Sequence, residues 1–273
     1  MKPSRSAVGA SPQTHQRGFF AAPGRPQRPA RAGAVAAACV RLFASVSALP
    51  VLLAACTAPP ASLSYFPLEA GHRWVYDQTS EWENNTVEHE PLVLHSLGEQ
   101  SLASGGSAWQ RRSESGVDYW LRADATGIYR VASKTDTEAD PTPDATPRYV
   151  LKLPLAVGST WQASTTTYLL RRNAEFPPEI RHSHKPVPMV YRIEALGEAV
   201  TTRAGAFKDC IRVQGQATLK LFTDPVNGIR ELPISSTEWY CKGVGLVKLQ
   251  RAEPAKSSFL TGGLLTLELT EWQ

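Results

Sequence analysis

The chain has 273 residues, four cysteines and a formal charge of +4 at pH 7. Seven of its 29 basic residues (Lys2, Arg5, Arg17, Arg25, Arg28, Arg31 and Arg41) and none of its 25 acidic ones precede residue 56, so the rest carries 22 basic against 25 acidic residues, a formal −3. The basic excess therefore belongs to the N-terminus alone, and nothing in the remainder argues for a nucleic-acid partner.

Residues 1–38 are rich in Ala, Arg, Pro, Gly and Ser, with no acid and no hydrophobic period. A disordered leader extension and a true start further downstream both account for them. The segment 42–55 is uncharged, dominated by Leu, Val, Ala and Phe, and flanked by Arg41. It is shorter than the roughly 20 apolar residues of a membrane-spanning helix. A basic flank, a short apolar run and small residues before a cut site predict a secretory signal.

Leu53-Ala54-Ala55-Cys56 then resembles the lipobox of a bacterial lipoprotein. The resemblance implies that residues 1–55 are removed and that Cys56 receives a diacylglycerol and becomes the new N-terminus. Several palmitate-like acyl chains, at about 0.8 kcal/mol per buried methylene, hold a protein firmly on a bilayer. Thr57 is not the aspartate that retains many such lipoproteins at the inner membrane. The expected place is the cell envelope, at the outer membrane facing the periplasm. Residues 56–63 read as lipidated cysteine and short Pro-containing tether, and 64–273 as the folded part.

Within 64–273, Phe66-Pro67-Leu68-Glu69-Ala70-Gly71-His72-Arg73-Trp74 is echoed by Leu153-Pro154-Leu155-Ala156-Val157-Gly158-Ser159-Thr160-Trp161, with Pro-Leu, Gly and Trp at the same spacing. Trp120 through Gly127-Ile128-Tyr129-Arg130 is echoed more loosely by Trp239 through Gly245-Leu246-Val247-Lys248. A duplicated unit, with halves of about 64–147 and 148–273, is the simplest account. Leu265, Leu267 and Leu269 alternate with polar residues, and Ile211, Val213, Ala217, Leu219 and Leu221 keep one parity through Gly215, as strands with one buried face do. Gly105-Gly106, Gly116, Asp224-Pro225 with Asn227-Gly228, and Gly262-Gly263 fall where hairpin turns are needed. No segment keeps a helical period beyond a turn or two. The reading is an all-β fold, an antiparallel curved sheet or partly open barrel, with aromatic residues on its concave side.

Cys210 and Cys241 are the cysteines of the folded part, and in an exported chain a disulfide between them is expected. His182-Ser183-His184 puts two imidazoles on one face of a strand, a spacing that can hold a metal. It lies between Pro177-Pro178 and Pro186 with no third ligand, so a solvated loop is expected and no metal is assigned. Glu88-His89-Glu90 with His95 reads as the polar face of a strand. The acidic run 136–144 lacks the glycine of a calcium loop. There is no Gly-x-Ser-x-Gly elbow, phosphate loop or dinucleotide fingerprint, and neither an enzyme nor a cofactor is expected.

Tyr65-Phe66-Pro67-Leu68 with Gly71 and Trp74, and Trp239-Tyr240-Cys241-Lys242-Gly243-Val244-Gly245-Leu246-Val247-Lys248, resemble the two ends of a group of poorly characterised exported β-rich bacterial proteins. Cys241 stands where that pattern has Ala, which favours a bridge to Cys210. The group implies no activity. Two functional expectations follow. In one, the curved sheet holds an apolar ligand such as a lipid, as in the half-barrel carriers of periplasmic lipoproteins that it resembles, with Trp74, Trp109, Trp120, Trp161 and Trp239 lining the site. In the other, the domain is an envelope structural or assembly component that binds a protein through strand edges.

Overall fold

The computed structural model describes residues 64–172 and 186–273. Leu53-Ala54-Ala55-Cys56, the residues before them and the His182/His184 pair lie outside the described residues. Fourteen strands follow one another: β1 (Arg73–Trp82), β2 (Val87–Ser101), β3 (Ser107–Ser113), β4 (Val117–Asp124), β5 (Gly127–Thr135), β6 (Thr142–Lys152), β7 (Thr160–Thr165), β8 (Arg171–Arg172), β9 (Val187–Thr202), β10 (Gly205–Asp224), β11 (Gly228–Cys241), β12 (Gly245–Glu253), β13 (Leu260–Thr261) and β14 (Gly263–Trp272). Among the described residues there is no α-helix.

Twelve strands form one antiparallel sheet in the order β6-β5-β4-β3-β2-β1-β14-β12-β11-β10-β9-β7, while β8 and β13 make a separate two-stranded ladder. The sheet curls until it is nearly closed, a barrel with one open seam between β6 and β7. Across that seam the Trp161 indole N–H on β7 donates to the Tyr149 carbonyl on β6, at 3.3 Å. The expected partly open all-β barrel is thus what the chain forms.

Local sequence explains the curl. On β9, Val187, Met189, Tyr191 and Ile193 are buried while the residues between them are exposed, the period-2 signature of a sheet with one dry face. On β10 the inward set runs Ile211, Val213, Gly215, Ala217 and Leu219. Gly215 faces Tyr191 across the ladder. A Cβ there would come within 2.7 Å of the Met189 sulfur and 2.8 Å of the Tyr191 ring. The glycine therefore makes room for a large side chain inside the barrel. The turn glycines sit where the sequence placed them, for instance Gly116 between β3 and β4 and Gly228 at the first position of β11, both with positive φ.

The two echoing motifs occupy equivalent places. Pro67-Leu68 to Gly71 leads into β1 and Pro154-Leu155 to Gly158 leads into β7, with φ of 96° and 89° at the two glycines. Trp74 and Trp161 are each the second residue of their strand and each buried. Each motif opens a run of six strands in the large sheet, and the boundary drawn at 147/148 falls inside β6. Cys210 and Cys241 are directly opposed on β10 and β11 and form a disulfide.

Candidate functional site

A cavity of about 270 Å³ lies inside the barrel. Its wall is built by inward positions of strands on both sides of the sheet: Tyr76 from β1, Tyr119 from β4, Tyr149 from β6, Tyr191 from β9 and Tyr240 from β11, with Tyr168 from the segment between β7 and β8. Leu94, Leu121, Leu246 and Leu249 fill the apolar part between them. Burial raises the hydroxyl pKa of Tyr76, Tyr191 and Tyr240, because an interior disfavours the phenolate. For Tyr240 the adjacent Glu238 carboxylate adds to the effect.

Four arginines also face this cavity, and they are held in different ways. Arg130 makes a two-pronged bond to Asp144 and lies over the Tyr119 ring. Arg251 is 2% exposed; it pairs with Glu253 and donates to the Thr165 hydroxyl and the Thr166 carbonyl. Arg148 is hydrogen-bonded to Tyr168. Arg111, 8% exposed, donates one hydrogen bond, from Nη2 to the Pro67 carbonyl at 2.7 Å, and its Nε has no partner. Its guanidinium packs 4.1 Å from the Phe66 ring centre and 4.3 Å from that of Trp74. Desolvation lowers the Arg111 pKa to about 10. The one carboxylate lining the cavity, Glu238, accepts from the Ser236 and Tyr240 hydroxyls and from no cation among the described residues.

The Glu253 carboxylate is fully buried and accepts the backbone N–H groups of Tyr168, Leu169 and Leu170 besides Arg251. This fixes the segment from Thr165 to Arg172 as a strap against β12. Tyr168 on the strap, with Tyr119 and Leu249, separates the central cavity from a second one of about 660 Å³, whose wall includes Trp82, Leu92, Leu265 and Leu267. A further recess of about 250 Å³ at the seam shares Arg130 and Arg148 with the central cavity.

No protein-family model matches the sequence, and no curated protein is detectably similar to it. Two solved structures are similar. A Parabacteroides distasonis chain provisionally described as a lipoprotein is 15% identical, with a TM-score of 0.36 over 77% of this chain and 98% of its own. A Bacteroides fragilis chain provisionally described as an exported protein with a YmcC-like fold is also 15% identical, with a TM-score of 0.34 over 76% and 98%. Likeness at this level bears on neither ligand nor activity.

None of the five tryptophans expected to line the site is part of the central cavity's wall. Trp74 is buried behind Arg111 with its indole N–H donating to the Val244 carbonyl, and Trp161 stacks on Tyr191. Trp109 packs against the apolar core. Trp120 and Trp239 fall on the other face of the sheet, since alternation places Tyr119 and Leu121, and Glu238 and Tyr240, inward. There Trp120 packs with Ala108 and Ala132, and the Trp239 N–H donates to Glu198. Glu88 and Glu90 belong to the wall of the second cavity, while His89 faces Asp77 and Thr79, and His95 pairs with Glu114. Asp136 and Asp144 of the acidic run pair with Arg112 and Arg130.

The arginines were missed by sequence reasoning, although one signal was present. Leu249, Arg251 and Glu253 share a parity on β12, so two charges continue an inward-facing row. Charges in such a row mark an internal pair rather than a solvated face.

Proposed function

We propose that this chain is a non-catalytic lipoprotein, acylated at Cys56 and seated at the outer membrane facing the periplasm, whose barrel interior binds a lipid-like ligand. The lipobox supports the anchor. The observation that carries the binding reading is the pair of adjoining cavities, one of about 270 Å³ inside the barrel and one of about 660 Å³ bordered by the exposed Glu88 and Glu90, divided by Tyr119, Tyr168 and Leu249. Small-molecule sites typically have about 300–1,000 Å³ and mostly apolar and aromatic walls with a few placed polar groups. Leu92, Leu265, Leu267 and Trp82 suit an acyl chain, and the polar side chains of the smaller cavity suit its head.

The test compares two masses of the full chain produced with its own leader and extracted in mild detergent. Under denaturing conditions the mass should equal residues 56–273 plus acyl groups, less two hydrogens for the Cys210–Cys241 bridge. Under native conditions a further reproducible mass, lost on organic extraction, should appear. An unmodified Cys56 would remove the anchor from the account, and identical native and denaturing masses would remove the cargo. The second reading, a protein partner added at a strand edge, draws on the seam, where β6 and β7 end the hydrogen-bonded ladder. Identical masses together with a stoichiometric envelope protein in the extract would favour it.

A further inference from the structure

The surroundings of the central cavity carry one positive charge more than negative. Around the central cavity stand four guanidinium groups, Arg111, Arg130, Arg148 and Arg251, and three carboxylates, Asp144, Glu238 and Glu253. Arg130 and Arg251 take two of those carboxylates as partners. Neither Arg111 nor Arg148 takes one among the described residues, but Arg148 has the Tyr168 hydroxyl, whereas Arg111 has one of its five N–H groups engaged, by the Pro67 carbonyl. A buried charge is expensive unless it is paired and hydrogen-bonded. Phe66 and Trp74 hold the Arg111 guanidinium in place without neutralising it, since a ring attracts a cation but accepts no conventional N–H bond. What remains is a fixed cation with unspent N–H donors on the wall of a cavity, the arrangement that recognises a planar or tetrahedral oxyanion.

Resting on the lipid-binding reading above, we infer that the ligand is an anionic amphiphile whose carboxylate or phosphate head is received by Arg111, with its chain passing Tyr119, Tyr168 and Leu249 into the larger cavity. An anion at Arg111 supplies the missing negative charge. Leu92, Leu265 and Leu267 of the second cavity supply the apolar burial, and Tyr119, Tyr168 and Leu249, which line both cavities, are the side chains that such a chain passes.

The experiment titrates the extracted, delipidated full chain with four probes and counts complexes by native mass spectrometry: dodecanoate, dodecyl phosphate, dodecanol and inorganic phosphate. Dodecanoate, dodecyl phosphate or both should bind about 10- to 100-fold more tightly than dodecanol, the worth of a hydrogen bond to a charged group. Inorganic phosphate should not bind at the same concentration, because it lacks a chain. Arg111→Gln should erase the preference while leaving dodecanol binding unchanged, and Arg111→Lys should keep part of it. Equal binding of the three chain probes to the wild-type protein would overturn the role of Arg111 and leave the lipid-binding reading standing. Inorganic phosphate binding as tightly as dodecyl phosphate would turn the site into one for a small anion. Binding of no probe would sink this inference and the reading beneath it together. A preference kept by a folded Arg111→Gln would overturn the assignment to Arg111 and move the head to another of the four arginines, and Arg111→Lys, which keeps the charge, serves where Arg111→Gln fails to fold.

Discussion

Two arginines buried in the same barrel differ in what surrounds them. Arg251 sits at the strap, where a carboxylate, a hydroxyl and a carbonyl meet its N–H groups and Glu253 in turn gathers three backbone N–H groups. Arg111 sits against Phe66 and Trp74 with one carbonyl. The first is a closed network in which every charge has its answer, so its loss is felt by the fold. The second is open, and its charge is explained by something other than the fold. A guanidinium that stabilises its own protein is expected to look like Arg251.

The largest break in this contrast comes from Glu253→Gln. It leaves the Arg251 guanidinium buried without a counter-charge and turns an amide N–H₂ toward the strap's own N–H groups. Loss of one partner of a buried pair costs about 3–5 kcal/mol, so the urea midpoint should fall sharply and the strap should become the first segment to exchange its amide hydrogens.

Alkaline pH gives a smaller effect with a defined sign. Tyr76, Tyr191 and Tyr240 have pKa values raised in the folded chain. The unfolded chain therefore releases their protons first as pH rises above about 10, and the stability they contribute, complete below pH 10, is lost on the way up. Arg111 works the other way: its pKa is lowered to about 10 in the fold, so above pH 10 the unfolded chain holds the extra proton and the fold gains. Tyr65, Tyr119 and Tyr129 are raised as well, so the tyrosines outweigh the single arginine and the net effect between pH 10 and 11 is a loss of stability. Urea unfolding at pH 9, 10 and 11 reads it; a midpoint that rose with pH would reverse the balance.

Much of the fold was legible in the sequence because its grammar is local. Alternating runs such as Leu265-Leu267-Leu269 and turn glycines such as Gly116 fix strand parity and hairpin position through neighbours one or two residues away. The Cys210–Cys241 bridge was legible through export and counting. The site was not, because it is assembled from single positions on distant strands. Trp109-Gln110-Arg111-Arg112-Ser113 has polar side chains on both parities, so nothing local says that Arg111 faces in and Arg112 faces out to Asp118 and Asp136. Tyr119-Trp120-Leu121 is apolar on both parities, and the expectation that Trp120 faces the interior failed for the same reason. Size and aromaticity pointed to tryptophan, whereas the cavity is walled by tyrosine and arginine, whose polar ends remain usable inside a barrel.

The most direct test makes one substitution at both arginines and compares urea unfolding of the stripped chains at neutral pH. Arg251→Met should cost about 3–5 kcal/mol, since it strands Glu253. Arg111→Met should stay within about 1 kcal/mol of wild type: the lost bond to Pro67 is offset by relief from burying an unpaired charge and by sulfur contacts with Phe66 and Trp74. Equal, large losses at the two positions would contradict the account, because Arg111 would then be a cation kept for the fold and not for a ligand.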